Sequence, residues 1–64
     1  MKEYWCVTSA FYDDGRTVAA ITSCGEYGQK PENSFKEARD RDIYNEWFDS
    51  LEEAQQAVMD ARRA

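Results

Sequence analysis

Asp42-Ile43-Tyr44-Asn45-Glu46-Trp47-Phe48-Asp49-Ser50-Leu51-Glu52-Glu53-Ala54 is the stretch whose reading decides the fold. Over 42–48 it alternates, with Ile43, Asn45 and Trp47 on one face and Tyr44, Glu46 and Phe48 on the other, as a strand requires. Apolar groups on both faces point to a strand inside a sheet, or to one with an exposed aromatic face. Ser50 and Glu53 then have the spacing of a capping box, in which a hydroxyl and a carboxylate each accept an orphan backbone N–H. Asp49 with Glu52 offers the same device one residue earlier. The period switches there from two to 3.6. Leu51, Ala54, Ala57, Val58 and Ala61 form one apolar stripe, predicting a helix over 51–63. Glu52 and Glu53 open that helix and Arg62 and Arg63 close it, as its dipole prefers. Met59 falls outside the stripe and is either flank packing or a contact point.

Upstream, residues 3–12 are rich in aromatic and β-branched types and read as a strand. Asp13-Asp14-Gly15 supplies a turn, because Asp-Gly accepts the positive φ that hairpins need. Residues 16–24 return as a second strand. A two-residue loop pairs Tyr12 with Thr17 and puts Cys6 and Cys24 on opposite faces. A three-residue loop with a bulge pairs Tyr12 with Arg16 and Val7 with Ile21, and puts both cysteines on one face as diagonal neighbours. The good apolar pair, Val7 with Ile21, favours the second register. Residues 25–33 read as a loop, broken by Gly25, Gly28 and Pro31, with Tyr27 in it as an anchor or a contact. Residues 34–41 admit two readings: a short helix capped by Ser34 and Glu37, or an extended segment pairing with the strand that follows and anchored by Phe35.

The whole is a single domain over 1–64. Its predicted class is α+β: a small antiparallel sheet, made of a β-hairpin plus a third strand, packed by one C-terminal helix. So short a chain hides only about 60% of the surface it exposes when unfolded. Nine aromatic residues are the means by which it assembles a core.

Composition excludes several functions. The net charge is −5 and histidine is absent. That balance argues against duplex nucleic acid and anionic membranes as partners. It also removes the commonest general base and zinc ligand. The four serines have no activating base, and Cys6 and Cys24 lie in no Cys-x-x-Cys spacing. Asp40, Asp42, Glu46 and Asp49 lack the mid-loop glycine and the terminal glutamate register of a calcium loop. Neither catalysis, nor a metal, nor a cofactor is expected. The first residues resemble no signal peptide and no apolar run spans a membrane, so a cytoplasmic, reducing setting with free thiols is expected.

Two surfaces remain as binding candidates. Residues 43–64 carry five acids, Glu46, Asp49, Glu52, Glu53 and Asp60, against two arginines, a negative patch suited to a basic site on another protein. The sheet face opposite the helix is expected to expose Tyr4, Tyr12 and either Tyr44 or Trp47, the residue types that anchor protein interfaces. Open sheet edges also admit a homodimer.

The segment Trp47-Phe48-Asp49-Ser50-Leu51-Glu52-Glu53-Ala54 resembles the strand–helix joint of Apetala-type plant DNA-binding domains and of the amino-terminal domains of phage and transposon integrases. The resemblance covers about 42–61, with a looser match of the hairpin. It implies a three-stranded antiparallel sheet on a C-terminal helix, and a phage or mobile-element origin. In those families Arg and Trp from the sheet meet DNA. Here the first two strands hold only Lys2 and Arg16 as bases, so the resemblance is used for fold alone. Three functions follow in order: a non-enzymatic protein-binding module, a nucleic-acid binder using the sheet, and a subunit of an enzyme whose site forms only on oligomerisation.

Overall fold

A computed structural model describes residues 1–63. Four strands, β1 (Lys2–Tyr12), β2 (Thr17–Tyr27), β3 (Ser34–Glu37) and β4 (Arg41–Phe48), precede one helix, α1 (Leu51–Arg63). The sheet order is β2-β1-β4-β3, with every neighbouring pair antiparallel. The expected α+β class, hairpin and C-terminal helix are all present. β4 lies inside the sheet, as apolar groups on both of its faces require. No helix among the described residues is long and apolar enough to cross a membrane.

The hairpin turn uses a three-residue loop. Gly15 N–H donates to the Tyr12 carbonyl at 3.0 Å, and Tyr12 N–H donates to the Arg16 carbonyl at 2.9 Å. Gly15 sits at φ +93°, where a side chain is strained. Asp14 braces the return: its carboxylate accepts from Arg16 N–H at 3.0 Å and from Arg16 Nε at 2.8 Å. That backbone N–H, with the guanidinium adding to it, holds the Asp14 carboxyl below its ordinary 3.8.

The favoured register holds from the turn down to Val7, which faces Ile21. It then breaks, because Thr22 and Ser23 together occupy the space of one residue as the pairing shifts to Cys6 with Ser23. The expectation that the cysteines share a face fails at this bulge. Cys24 pairs with Trp5 on the helix side and is exposed, whereas Cys6 is buried on the other side. Beyond the bulge β2 continues to Tyr27, so the expected loop begins at Gly28 instead of Gly25. Ser34–Glu37 takes the extended alternative and not the capping-box helix. Phe35 pairs with Tyr44, and Ser34 Oγ accepts from Asn45 Nδ2 at 3.2 Å.

Two small cores result, one on each side of the sheet. On the helix side Val7, Ala19 and Ala54 are almost fully buried. Ser50 starts the helix there, its Oγ accepting from Glu53 N–H at 3.2 Å. On the open side Tyr4 and Cys6 are buried, which removes Tyr4 from the expected exposed aromatic face. The reason is local: Tyr27 and Trp47 meet edge to face at 5.4 Å over this end of the sheet. Gly25, opposite Tyr4, leaves room for the Tyr27 ring, which lies 3.3 Å from where a Gly25 Cβ would stand. The 28–33 crossover closes the patch. Lys30 reaches Asp49 at 3.4 Å, and Asn33 Oδ1 accepts from Trp47 N–H at 2.8 Å.

Gly15→Ala is expected to lower stability by about 1–2 kcal/mol, because it forces a Cβ into the left-handed region. Gly28→Ala, with open space around it and no positive φ, should be neutral or slightly stabilising. Urea denaturation of the two variants measures the contrast.

Candidate binding cleft

α1 follows β4 after only Asp49 and Ser50, so its first turn stands beside the end of that strand. From there it runs back across β1 towards β2, packing mainly on those two strands. At its far end Arg62 Nη2 donates to the Ala19 carbonyl of β2 at 3.2 Å. The helix is therefore off-centre, and the β4–β3 half of the sheet is left uncovered on the helix side.

That uncovered half forms an open cleft of about 520 Å³. Val7, Ser9 and Phe11 of β1 make its floor, and Ala57 and Ala61 of α1 make one wall. Asp42, Tyr44 and Glu46 of β4 line the other side. Tyr44 sits between two rings, edge-on to Phe11 at 5.6 Å and tilted on Phe35 at 4.8 Å. This aromatic row crosses β1, β4 and β3, and its outer members stay open, Tyr44 at 43% and Phe35 at 53% exposure. Rings half in contact with each other and half in water suit a face that another chain covers.

Charge is sorted by face. Strand alternation and the pairing registers put Glu3, Glu26, Glu37, Asp42 and Glu46, every acid in the strands, on the helix side. The strand bases, Lys2, Lys36 and Arg41, all lie on the open side. None of the five strand acids has an ion-pair partner among the described residues; the ion pairs there use Asp14, Asp40 and Asp49. Glu37 stands directly opposite Asp42, and Glu3 directly opposite Glu26. Like charges directly across an antiparallel pair are destabilising, so folding gives no reason for either arrangement.

The sequence-derived candidates scatter around this geometry. Glu46 and Tyr44 line the cleft. Glu53 and Asp60, four residues before and three after Ala57, belong to the same helix stripe as the cleft wall. Asp60 also accepts from Gln56 Nε2 at 2.9 Å. Asp49 leaves the acidic patch, since Lys2 at 3.7 Å and Lys30 at 3.4 Å offset its charge. Glu52 is exposed in the first helical turn, five residues before the cleft wall begins at Ala57. Tyr12 is half-buried on the open side under the Arg16 and Arg41 guanidinium groups, at 4.7 and 5.6 Å from its ring. Tyr44 lies on the helix side, not on the face opposite the helix.

Phe11, Phe35, Glu37 and Asp42 escaped the sequence reading as site residues. The alternation of 42–48 already placed Asp42 with Tyr44 and Glu46. The missing information was the pairing of β4 with β1 and β3. Comparison with family models, with curated proteins and with solved structures finds no match to this chain, so the cleft is read from its own chemistry.

Reversing one of the like-charge pairs tests this electrostatic picture. Glu37→Lys should raise stability by about 0.5 kcal/mol at low ionic strength by turning a repulsive cross-strand pair into an attractive one. The gain should shrink in high salt. Urea melts at two salt concentrations read both quantities.

Proposed function

We propose that this protein is a binding module that docks a basic segment of another protein, one also carrying an apolar side chain, in the cleft between α1 and β4–β3. The observation that carries the reading is the unpaired acid set, Glu37, Asp42 and Glu46, beside the half-exposed Phe35 and Tyr44 rings. A bound Lys or Arg would relieve the repulsion between Glu37 and Asp42, and an apolar neighbour would fill the Phe11–Tyr44 floor. Nothing in this reading requires catalysis. A short peptide of alternating Arg and Leu should bind with an affinity that falls as salt rises, whereas its Glu–Leu counterpart should not bind. Asp42→Lys with Glu46→Lys should abolish binding, and Phe35→Ala should weaken it by about 1–2 kcal/mol. Glu32→Lys, the same kind of charge change on the crossover, should leave it intact. Isothermal titration decides; equal loss in the Glu32→Lys control would reduce the effect to net charge and end the proposal.

One observation favours a second reading, nucleic-acid binding through the open face. Lys2, Lys36 and Arg41 share that face with the stacked Tyr12, and it is the face opposite the helix that meets DNA in the Apetala-type and integrase domains resembled. Lys2 and Arg41 are already paired with carboxylates, which leaves Lys36 as the one strand base with no ion pair among the described residues. The electrostatic footprint is correspondingly small. A gel shift at low salt, lost on Lys36→Glu, would support this reading. No shift at low salt removes it.

A further inference from the structure

The off-centre helix has a second consequence, on the opposite edge. β2 is an outer strand eleven residues long, and from Thr17 to Gly25 it holds no charged residue and no proline. The other edge, β3, is four residues long and carries Lys36 and Glu37. Charge and brevity guard β3, but neither guards β2. Above the β2 edge the outer flank of α1 is apolar. Ile21, Val58 and Met59 surround an open hollow there with Gln55 and Arg62, and Met59 is half exposed. Leu51, one turn before Gln55 on the same flank, is also exposed.

The geometry points to a second copy of this chain as the occupant: two β2 strands pair antiparallel about a dyad near Ala19–Ile21, joining two sheets into one of eight strands. Three observations select a second copy. The first is spacing. With α1 over the boundary of β1 and β2, adjoining strands about 4.8 Å apart put the two helix axes about 10 Å apart, the distance at which helices pack. The second is charge. Antiparallel helices crossing near Ala57 bring Glu52 of each copy opposite Arg62 of the other, the acidic first turn against the basic last turn. Each copy is otherwise strongly acidic, and this neutral edge is where two copies can approach. The third is extent. About a dyad at Ala20 the edge pairs with itself over residues 17–23, roughly 24 Å long, with the Thr22–Ser23 bulge at either end and the apolar helix flank above.

Arg62 is the hinge of the arrangement. In the single chain its guanidinium takes the Ala19 carbonyl, which the alternation of the β1–β2 ladder turns away from β1. Pairing of the two edges releases Arg62 to Glu52 of the other copy. The cleft lies on the far side of the helix, so both copies keep theirs open.

Sedimentation velocity on the full chain, from micromolar to millimolar concentration, tests the pairing. The expected result is a monomer–dimer equilibrium. Met59→Lys should weaken it roughly tenfold or more by placing like charges near the dyad. Glu52→Arg should weaken it comparably, and Glu52→Arg with Arg62→Glu should restore it, because each charge then meets its opposite across the dyad. Glu52 and Met59 are both exposed and Arg62 makes one hydrogen bond to the Ala19 carbonyl, so each variant, the double one included, is compared only where circular dichroism shows the native fold. A chain that stays monomeric at millimolar concentration overturns the proposal. So does a dimer that Met59→Lys leaves intact, or one in which the charge exchange fails to restore association.

Discussion

Ala54 closes the molecule. It has no exposed surface, and a residue without a longer side chain is what lets α1 settle against Val7 and Ala19, themselves almost fully buried. A helix seated this close must lie where the sheet offers small side chains. Ala19 of β2 and Ser9 of β1 provide that ground, whereas Phe11, Tyr44 and Phe35 fill the other half with rings. The size of side chains thus decides the placement of the helix, and its placement decides which surfaces remain. An uncovered aromatic cleft on one side and an overhanging apolar flank on the other are two results of one packing choice.

The bulge at Thr22–Ser23 is the second constraint. By admitting one extra residue it reverses the facing of the rest of β2. Gly25 comes to lie opposite Tyr4, where the Tyr27 ring covers it, and Cys24 turns to the helix side. The open face gains its own small core at that end. Above this core, Thr22, Thr8, Asn45 and Ser34 hydrogen-bond in series across all four strands, with the Thr8–Asn45 bond at 2.6 Å. One face therefore holds the apolar packing with the helix, and the other is held by side-chain hydrogen bonds and one aromatic pair.

The sequence carried most of this architecture, and the parts it did not carry share a cause. The strand–helix joint, the Asp-Asp-Gly turn and the Val7–Ile21 pair are local or nearly so, and alternation and capping spacing were enough to read them. Ser34–Glu37 could not be resolved because four residues of mixed charge have no periodicity of their own; pairing with β4 makes them a strand. The bulge left no composition signal, since Thr and Ser suit a regular strand as well as a bulged one, and with it went the facing of Cys24. Half of the candidate site was legible for the same reason. Glu46 and Tyr44 could be placed on one face of β4 from alternation, but the rings beside Tyr44 come from strands more than eight residues away on one side and more than thirty on the other. The burial of Tyr4 depends on Tyr27, which local signals alone place in a loop and which only the bulged β1–β2 pairing brings over that end of the sheet.

Local rules and global structure agree nearly everywhere in this chain, which makes their disagreements informative. The helix is capped and its terminal charges suit its dipole, the turn glycine sits at positive φ, and no buried side-chain polar atom among the described residues lacks a partner. Against that background, Glu37 faces Asp42 and Glu3 faces Glu26 with no base among the described residues near enough to pair with them. The first of these repulsive pairs borders the cleft, beside the two most open rings of the aromatic row. A surface selected for solubility alone would intersperse both signs and bury its rings. Under the proposed docking of a basic segment, repulsive charge next to exposed aromatics becomes favourable, because the missing counter-charge arrives with the other molecule.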